Sequence, residues 1–265
     1  MQGTGCLFGF LTAVNFLTTL PWLSHRDVTA ADVARSFSYF PLVGAVLGLA
    51  AAVLDMAARQ LFGITTTSVL VLALLVVVTG ALHLDGFIDS CDGLFGGREP
   101  GRRLEIMRDS RIGSFGAVAV CMLLIAKFAA LVSLPIAWRL PVLVVFPALG
   151  RWAMVYATVA FPAGRRDGLG NSMKAELSRS QLLIATLLMI AIAVAALGAR
   201  GLIALVIVAI VTYLVARLIL RKIPGLTGDS YGAINEVAEI VILLGMPLLM
   251  ALPLPQGLDL LFRLG

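Results

Sequence analysis

The sequence predicts an all-α fold, a polytopic membrane bundle of about seven transmembrane helices, with the N-terminal segment as a further interfacial helix. Three observations predict it. First, the 265 residues are 60% hydrophobic and 13% charged, with a mean hydropathy of +1.01. Soluble domains carry about 45–50% apolar and about 25% charged residues. Lipid can take this surplus of apolar surface, whereas a soluble fold of this size cannot bury it. Second, the apolar residues come in runs near the roughly 20 that a spanning helix needs. They lack the every-second-residue alternation of a membrane barrel. Third, the basic residues are shared unequally between alternate loops.

The predicted spans are 37–60, 64–82, 112–134, 141–161, 181–198, 201–220 and 233–253. Residues 1–20 are apolar but carry no Lys or Arg, so the positive region of a secretory signal is missing. That segment ends at Pro21-Trp22 and reads as either an interfacial helix or a further span. Gly44 and Gly48 make a GxxxG pattern, which permits close helix contact. With 21–36 placed inside, fourteen of the 20 Lys and Arg residues lie inside, four lie outside and two lie within spans. Arg139 is counted outside, while Lys127 and Arg151 are the two within spans. The positive-inside rule then puts three polar blocks, 83–111, 162–180 and 221–232, on the cytoplasmic face. No linker or repeat divides the chain, so 1–265 reads as one membrane domain. Cys6, Cys91 and Cys121 make neither a disulfide framework nor a CxxC pair. The net charge of +5 is accounted for by basic inner loops, and nucleic acid is not an expected partner. The sequence leaves a homo-oligomer open.

The densest polar chemistry is in the first block. Asp85, Asp89 and Asp92 are spaced i, i+4, i+7, which gathers them on one face of a helix. Carboxylates so close repel one another unless a cation sits between them. Oxygen-only ligands suit a hard ion, Mg²⁺ or Mn²⁺. Gly86 and Gly93 are expected to let a phosphate approach the backbone. His83 borders the group as a candidate base or phosphate donor, and a plain hydrogen-bonding role competes with that reading.

Further along, Arg108, Asp109 and Arg111 suggest a polyanionic substrate, because guanidinium forks match phosphate oxygens. Arg102 and Arg103 are read as topological charges. In the third block Asp229, Glu236 and Glu239 recur along one face, with Gly225, Gly228 and Gly232 expected to hold tight backbone beside an anion. Capping of the last helix explains Asp229 equally well. Glu236 and Glu239 lie among apolar residues, so they are expected to be buried and partnered. Lys127 and Arg151 read either as substrate-binding groups or as ion-pair partners of Glu236, Glu239 or Asp55. Asn171, in Gly170-Asn171-Ser172, is a further candidate for substrate contact.

These motifs resemble a known family. The stretch His83-Leu84-Asp85-Gly86, continuing through Asp89 and Asp92-Gly93 to Glu105-Ile106-Met107-Arg108-Asp109-Ser110-Arg111-Ile112-Gly113, is similar to the cobalamin-5′-phosphate synthases, the adenosylcobinamide-GDP ribazoletransferases. Phe16-Leu17-Thr18, Phe40-Pro41-Leu42-Val43-Gly44 and Thr227-Gly228-Asp229 with Gly232 and Glu236 also fit. The resemblance implies a multi-pass enzyme of the bacterial inner membrane that depends on Mg²⁺. It implies that adenosylcobinamide-GDP reacts with α-ribazole or its 5′-phosphate to give GMP and adenosylcobalamin or its 5′-phosphate. On that chemistry Asp85, Asp89, Asp92, Asp229 and Glu236 are expected at the metal. Asp89 or His83 is expected to act as the base. Arg108, Asp109, Arg111, Lys127, Arg151 and Asn171 are expected at the substrate. Three other readings compete, and an intramembrane aspartyl protease, resting on Gly228-Asp229 alone, lacks a clear second aspartate deep in a span. A CDP-alcohol phosphotransferase would carry an Ala-Arg pair after the Asp-Gly and two later aspartates, and these are absent. A divalent-cation transporter would line a path through the bilayer with acids, whereas here Asp55 alone lies in a span far from the polar face.

Overall fold

In a computed structural model, residues 5–20, 28–164, 174 and 177–253 are described. The described chain is helical apart from short links. The helices are α1 (Cys6–Leu17), α2 (Ala30–Ser36), α3 (Phe40–Ala58), α4 (Ile64–Thr79), α5 (Leu82–Gly96), α6 (Pro100–Ile106), α7 (Ser114–Ser133), α8 (Ile136–Ala160), α9 (Arg179–Leu197), α10 (Ala199–Leu220) and α11 (Gly228–Ala251). A 3₁₀ turn, Phe37–Tyr39, joins α2 to α3. Six segments are long and apolar enough to cross a membrane: α2–α3 together, α7, α8, α9, α10 and α11. Helices α4 and α5 are long and apolar enough for a seventh only when taken together, and they are bent by 87°. At 12 residues α1 reaches only about 18 Å, short of the hydrocarbon core of about 30 Å. It is therefore too short to span. The backbone N–H of Thr19 donates to the Val78 carbonyl at 2.8 Å, tying the exit of α1 to the end of α4.

The bend sets up the site. Gly80 is left-handed at φ +58°, which needs no side-chain accommodation, and its neighbour Ala81 follows at φ +57°. The Ala81 N–H bonds back to the Val76 carbonyl, the closure of a Schellman cap. A predicted span running to residue 82 thus stops at Thr79. The next segment, expected as polar loop, restarts as helix α5 across the bundle. Its far half packs on the start of α7 and its near half on the start of α11. α5 therefore lies over the helix ends and outside the spans.

Helix α8 is the central post, with α3, α9, α10 and α11 packed around it. Pro147 has no N–H for the Leu143 carbonyl one turn before it. That carbonyl faces Gly48, where an added Cβ would strike it. A Cβ at Gly44 would lie 2.5 Å from the Pro147 carbonyl oxygen. The GxxxG pair is thus the bare strip on which α3 meets α8.

Helix α8 also starts earlier than expected, at Ile136, so Arg139, counted in an outer loop, lies within the helix. Arg139 is fully buried. It donates from Nε and Nη2 to Asp55 Oδ1 at 2.8 and 2.6 Å, and from Nη2 to Ser68 Oγ at 3.2 Å. Arg59 holds the other Asp55 oxygen at 2.9 Å. The charge is tolerated because it is matched. Pro141 and the charge together made the stretch look like a loop.

Candidate active site

The described parts of the three polar blocks meet at one end of the bundle. Arg103 donates to the Gly97 carbonyl at 3.0 Å and to the Lys222 carbonyl at 2.9 Å. Lys222 Nζ donates in turn to the Leu94 carbonyl at 2.9 Å and sits 4.3 Å from the Phe95 ring centre. The Leu226 N–H bonds to the Pro162 carbonyl, and the Gly164 N–H to the Leu226 carbonyl, both at 2.8 Å. Arg103 and Lys222 were expected only to mark topology, yet they staple α6 and the α10–α11 link to α5. Nothing in their spacing signals this, since both reach carbonyls across more than a hundred residues of chain.

The three aspartates of α5 do share a helix, but burial separates their roles. Asp85 is exposed, Asp89 half-buried and Asp92 buried. Asp92 accepts the Gly113 N–H and the Gly116 N–H, each at 2.8 Å. It thereby satisfies the open amides at the start of α7, where a carboxylate also suits the helix dipole. A side chain at Gly113 or Gly116 would occupy the place of its carboxylate. Asp92, expected at a metal, is thus engaged as a helix cap.

Asp89 remains among like charges. Burial, and then Asp85, Asp229 and Asp92 in that order, push its carboxyl up to about 6. Asp229 comes from the first turn of α11, where Thr227 and Ser230 form a capping box. Helix α11 approaches α5 backbone to backbone. A Cβ at Gly86 would lie 2.9 Å from the Asp229 carbonyl, and one at Gly232 would lie 3.0 Å from the His83 carbonyl. Gly86 and Gly93 were expected to admit a phosphate, and Gly232 to hold tight backbone beside an anion. Instead they admit a neighbouring chain: Asp229 at Gly86, Met107 and Arg103 at Gly93, His83 at Gly232. Gly225 packs on Ala163 and Gly164, while Gly228 stays open.

Beneath α5 lies a second set of charges. Lys127 Nζ donates to Glu236 Oε2 at 2.5 Å and to Glu239 Oε2 at 2.6 Å. Arg151 pairs with the other Glu239 oxygen, and Asn235 Nδ2 donates to Glu236 Oε1 at 3.2 Å and Glu239 Oε1 at 3.1 Å. All five residues are buried. Two cations and two anions neutralise one another inside the bundle. Glu236, expected at the metal, and Lys127 and Arg151, expected at the substrate, are committed to this network.

On the α6–α7 link, Arg111 forks onto Asp109, with Nη2 2.7 Å from Oδ2 and Nε 3.0 Å from Oδ1. The guanidinium holds the Asp109 carboxyl down to about 2. Arg108 is exposed and makes no ion pair among the described residues. Asn171 lies outside the described residues.

A cavity of about 260 Å³ opens beside the aspartates. Asp85, Gly86, Gly228 and Asp229 border it, and so does His83. The rest of its wall is Phe16, Phe37, Leu82, Met154, Thr158, Tyr231 and Gly232. His83 is buried and its Nε2 has no partner among the described residues. Among the described residues no three His, Cys, Asp or Glu side chains form a ready-made metal-holding group. Asp85, Asp89 and Asp229 do offer hard oxygen donors, and the other two raise the proton affinity of Asp89. That fits an ion held by a few carboxylates with a ligand's phosphates completing its shell, the usual manner of Mg²⁺.

A multi-pass helical membrane protein with an acidic cluster on a helix laid across the bundle end is the class that fold and site define. The chain matches the cobalamin-5-phosphate synthase family over residues 9–247, and it belongs to that family. A relative from Desulforamulus reducens, named adenosylcobinamide-GDP ribazoletransferase, is 39% identical over 243 residues, covering 90% of this chain and 97% of the relative. Relatives of the same name from a Roseiflexus species and from Stutzerimonas stutzeri are 41% and 40% identical, covering 87% and 90% of this chain and 86% and 97% of their own. No solved structure matches the chain.

Proposed function

We propose that the chain joins adenosylcobinamide-GDP to α-ribazole or its 5′-phosphate, releasing GMP and forming adenosylcobalamin or its 5′-phosphate. One observation carries this reading. The family match covers residues 9–247 and so takes in both α5 with its aspartates and the start of α11. The reaction is placed at the cytoplasmic face of a bacterial inner membrane, on the strength of the basic residues that crowd this end.

The bond formed is between a hydroxyl oxygen of the ribazole ribose and the phosphorus next to cobinamide. The bond broken links that phosphorus to the phosphate that departs as GMP. Asp85 and Asp229 would hold Mg²⁺, with Asp89 beside them. When bound, the ion supplies charge neutralisation at the diphosphate oxygens. Asp89 takes the hydroxyl proton. Burial and the neighbouring carboxylates push its carboxyl up to about 6, which favours proton uptake. Arg108 meets the diphosphate. Arg111 joins it when its fork to Asp109 opens. Asp92 positions the α6–α7 link by anchoring the start of α7. Lys127, Arg151, Glu236 and Glu239 act as positioning residues, fixing α7, α8 and α11 beneath the site.

The test is GMP release by purified protein in nanodiscs with Mg²⁺, adenosylcobinamide-GDP and α-ribazole 5′-phosphate. Metal-dependent GMP with a matching corrinoid product, lost in Asp85→Ala and Asp89→Ala, is the expected result. Folded wild-type protein that yields no GMP would sink the assignment. Activity that survives both substitutions would move the reacting centre away from α5.

A further inference from the structure

The buried charges beneath α5 do not spend all their hydrogen bonds on one another. Lys127 gives one N–H to Glu236 and one to Glu239, which leaves the third of its ammonium group. Arg151 spends Nη1 on Glu239 and on the Pro147 carbonyl, while its buried Nε has no partner among the described residues. Glu236 accepts one bond at each oxygen, from Asn235 and from Lys127, and a carboxylate can accept about four. Thr79, the last residue of α4, gives its hydroxyl proton to the Leu75 carbonyl at 2.8 Å, so its oxygen is left to accept.

These groups border one cavity of about 30 Å³. Lys127, Arg151, Glu236, Glu239 and Thr79 form its polar side, and its apolar side includes Val76 of α4 and Phe146 of α8. A water needs about 10–15 Å³ of such space, so the cavity is large enough for one and too small for an organic ligand. Charge narrows the choice further. A cation would face Lys127 and Arg151, and an anion would face Glu236 and Glu239. A hydrocarbon chain would leave the spare donors stripped of water with nothing in return. A small neutral molecule that both donates and accepts suits all of them. Apolar cavities in proteins stay dry, whereas buried waters sit where about three polar groups converge.

We infer that this cavity is a binding site for one ordered water, which accepts from Lys127 Nζ and Arg151 Nε and donates to a glutamate carboxylate and to Thr79 Oγ1. The site belongs to the bundle and is independent of the proposed reaction. It ties the end of α4 to the charge network on α7, α8 and α11. Thr79 is followed directly by Gly80 and Ala81, whose left-handed backbone turns the chain into α5. The water therefore anchors the bend from which α5 starts.

The test uses the full chain in nanodiscs, with wild type beside Val76→Ile, Thr79→Val and Thr79→Ser. A cryo-EM map fine enough to show waters should hold a peak within hydrogen-bond reach of Arg151 Nε in wild type. Val76→Ile adds one methyl group to the cavity and should remove that peak. Its melting temperature should then fall by about 5 °C, the size expected when a buried donor loses its partner. In a dry cavity the same methyl would fill empty space and raise the melting temperature. Thr79→Val removes one acceptor and should weaken the peak, while Thr79→Ser keeps the hydroxyl and should retain it. A wild-type map with no peak between Arg151 and the glutamates would overturn the inference, and so would a Val76→Ile variant that melts above wild type. A peak unchanged in Thr79→Val would reject the tie to α4. Should Val76→Ile fail to fold, the wild-type map and the Thr79 pair decide between these outcomes.

Discussion

Two groups of carboxylates, one along α11 and one where the start of α11 meets α5, are treated in opposite ways. Glu236 and Glu239 sit on α11 about two turns beyond Asp229, and each meets a cation at bonding distance in a buried neutral network. Asp85, Asp89 and Asp229 sit at the helix ends among carboxylates, and Asp89 is pushed up to about 6 by that company. Acids that must hold helices together in an apolar bundle are neutralised by fixed cations. Acids that are to act on a ligand are set close to like charges, so an incoming cation has something to relieve. Asp92 stands between the groups, being on the reacting helix yet committed to two backbone amides of α7.

The largest expected effect is on turnover. Asp89→Asn should lower kcat by about a hundredfold or more, the usual contribution of a general base, with the melting temperature held or raised. A large loss of stability without a kinetic defect would place Asp89 with the structural acids. Next comes Glu239→Gln, which leaves Lys127 and Arg151 short of a counter-charge inside the bundle. It should destabilise the protein by about 3 kcal/mol in reversible unfolding from detergent, and pairing it with Lys127→Met should recover part of that loss. Purely additive effects would break the contrast between the two groups.

A smaller effect separates the exposed arginines. Arg108→Ala should raise KM for the GDP-bearing substrate about tenfold, and Arg111→Ala less, because Asp109 already neutralises Arg111. An Arg111→Ala variant with no change in KM would show that the Arg111–Asp109 fork stays closed on binding. The smallest effect is on pH. The Asp89 carboxyl is raised from an ordinary 3.8 to about 6, so folding disfavours its ionised form. This destabilisation is absent below the ordinary value, grows as pH rises toward 6 and is constant above it. In chelator, wild type should lose melting temperature relative to Asp89→Asn across that window, and Mg²⁺ should shrink the difference. Parallel curves with and without Mg²⁺ would remove Asp89 from the metal's surroundings.

Much of the fold was legible because lipid imposes a length on apolar runs. The spans from α7 to α11 follow the predicted segments to within about five residues, and the i, i+4, i+7 spacing of the aspartates fits the helix α5 that a block read as polar loop in fact forms. The break at Gly80-Ala81 was hidden, since apolar residues continue through it and only the left-handed backbone turns the chain. Arg139 was misplaced for a related reason: a charge near the end of an apolar run reads as loop unless its partner is known, and Asp55 lies 84 residues away in sequence.

By itself the sequence determined the class of protein, the segments that cross, and the α5 face where carboxylates crowd, because hydropathy and helical spacing are local properties. Only the tertiary structure decided which acids serve and which support. Whether Glu236 faces a lysine or a ligand, whether Asp92 caps a helix, and whether Phe16, Phe37 and Tyr231 share a wall depend on contacts between helices far apart in the chain. No local pattern encodes such contacts.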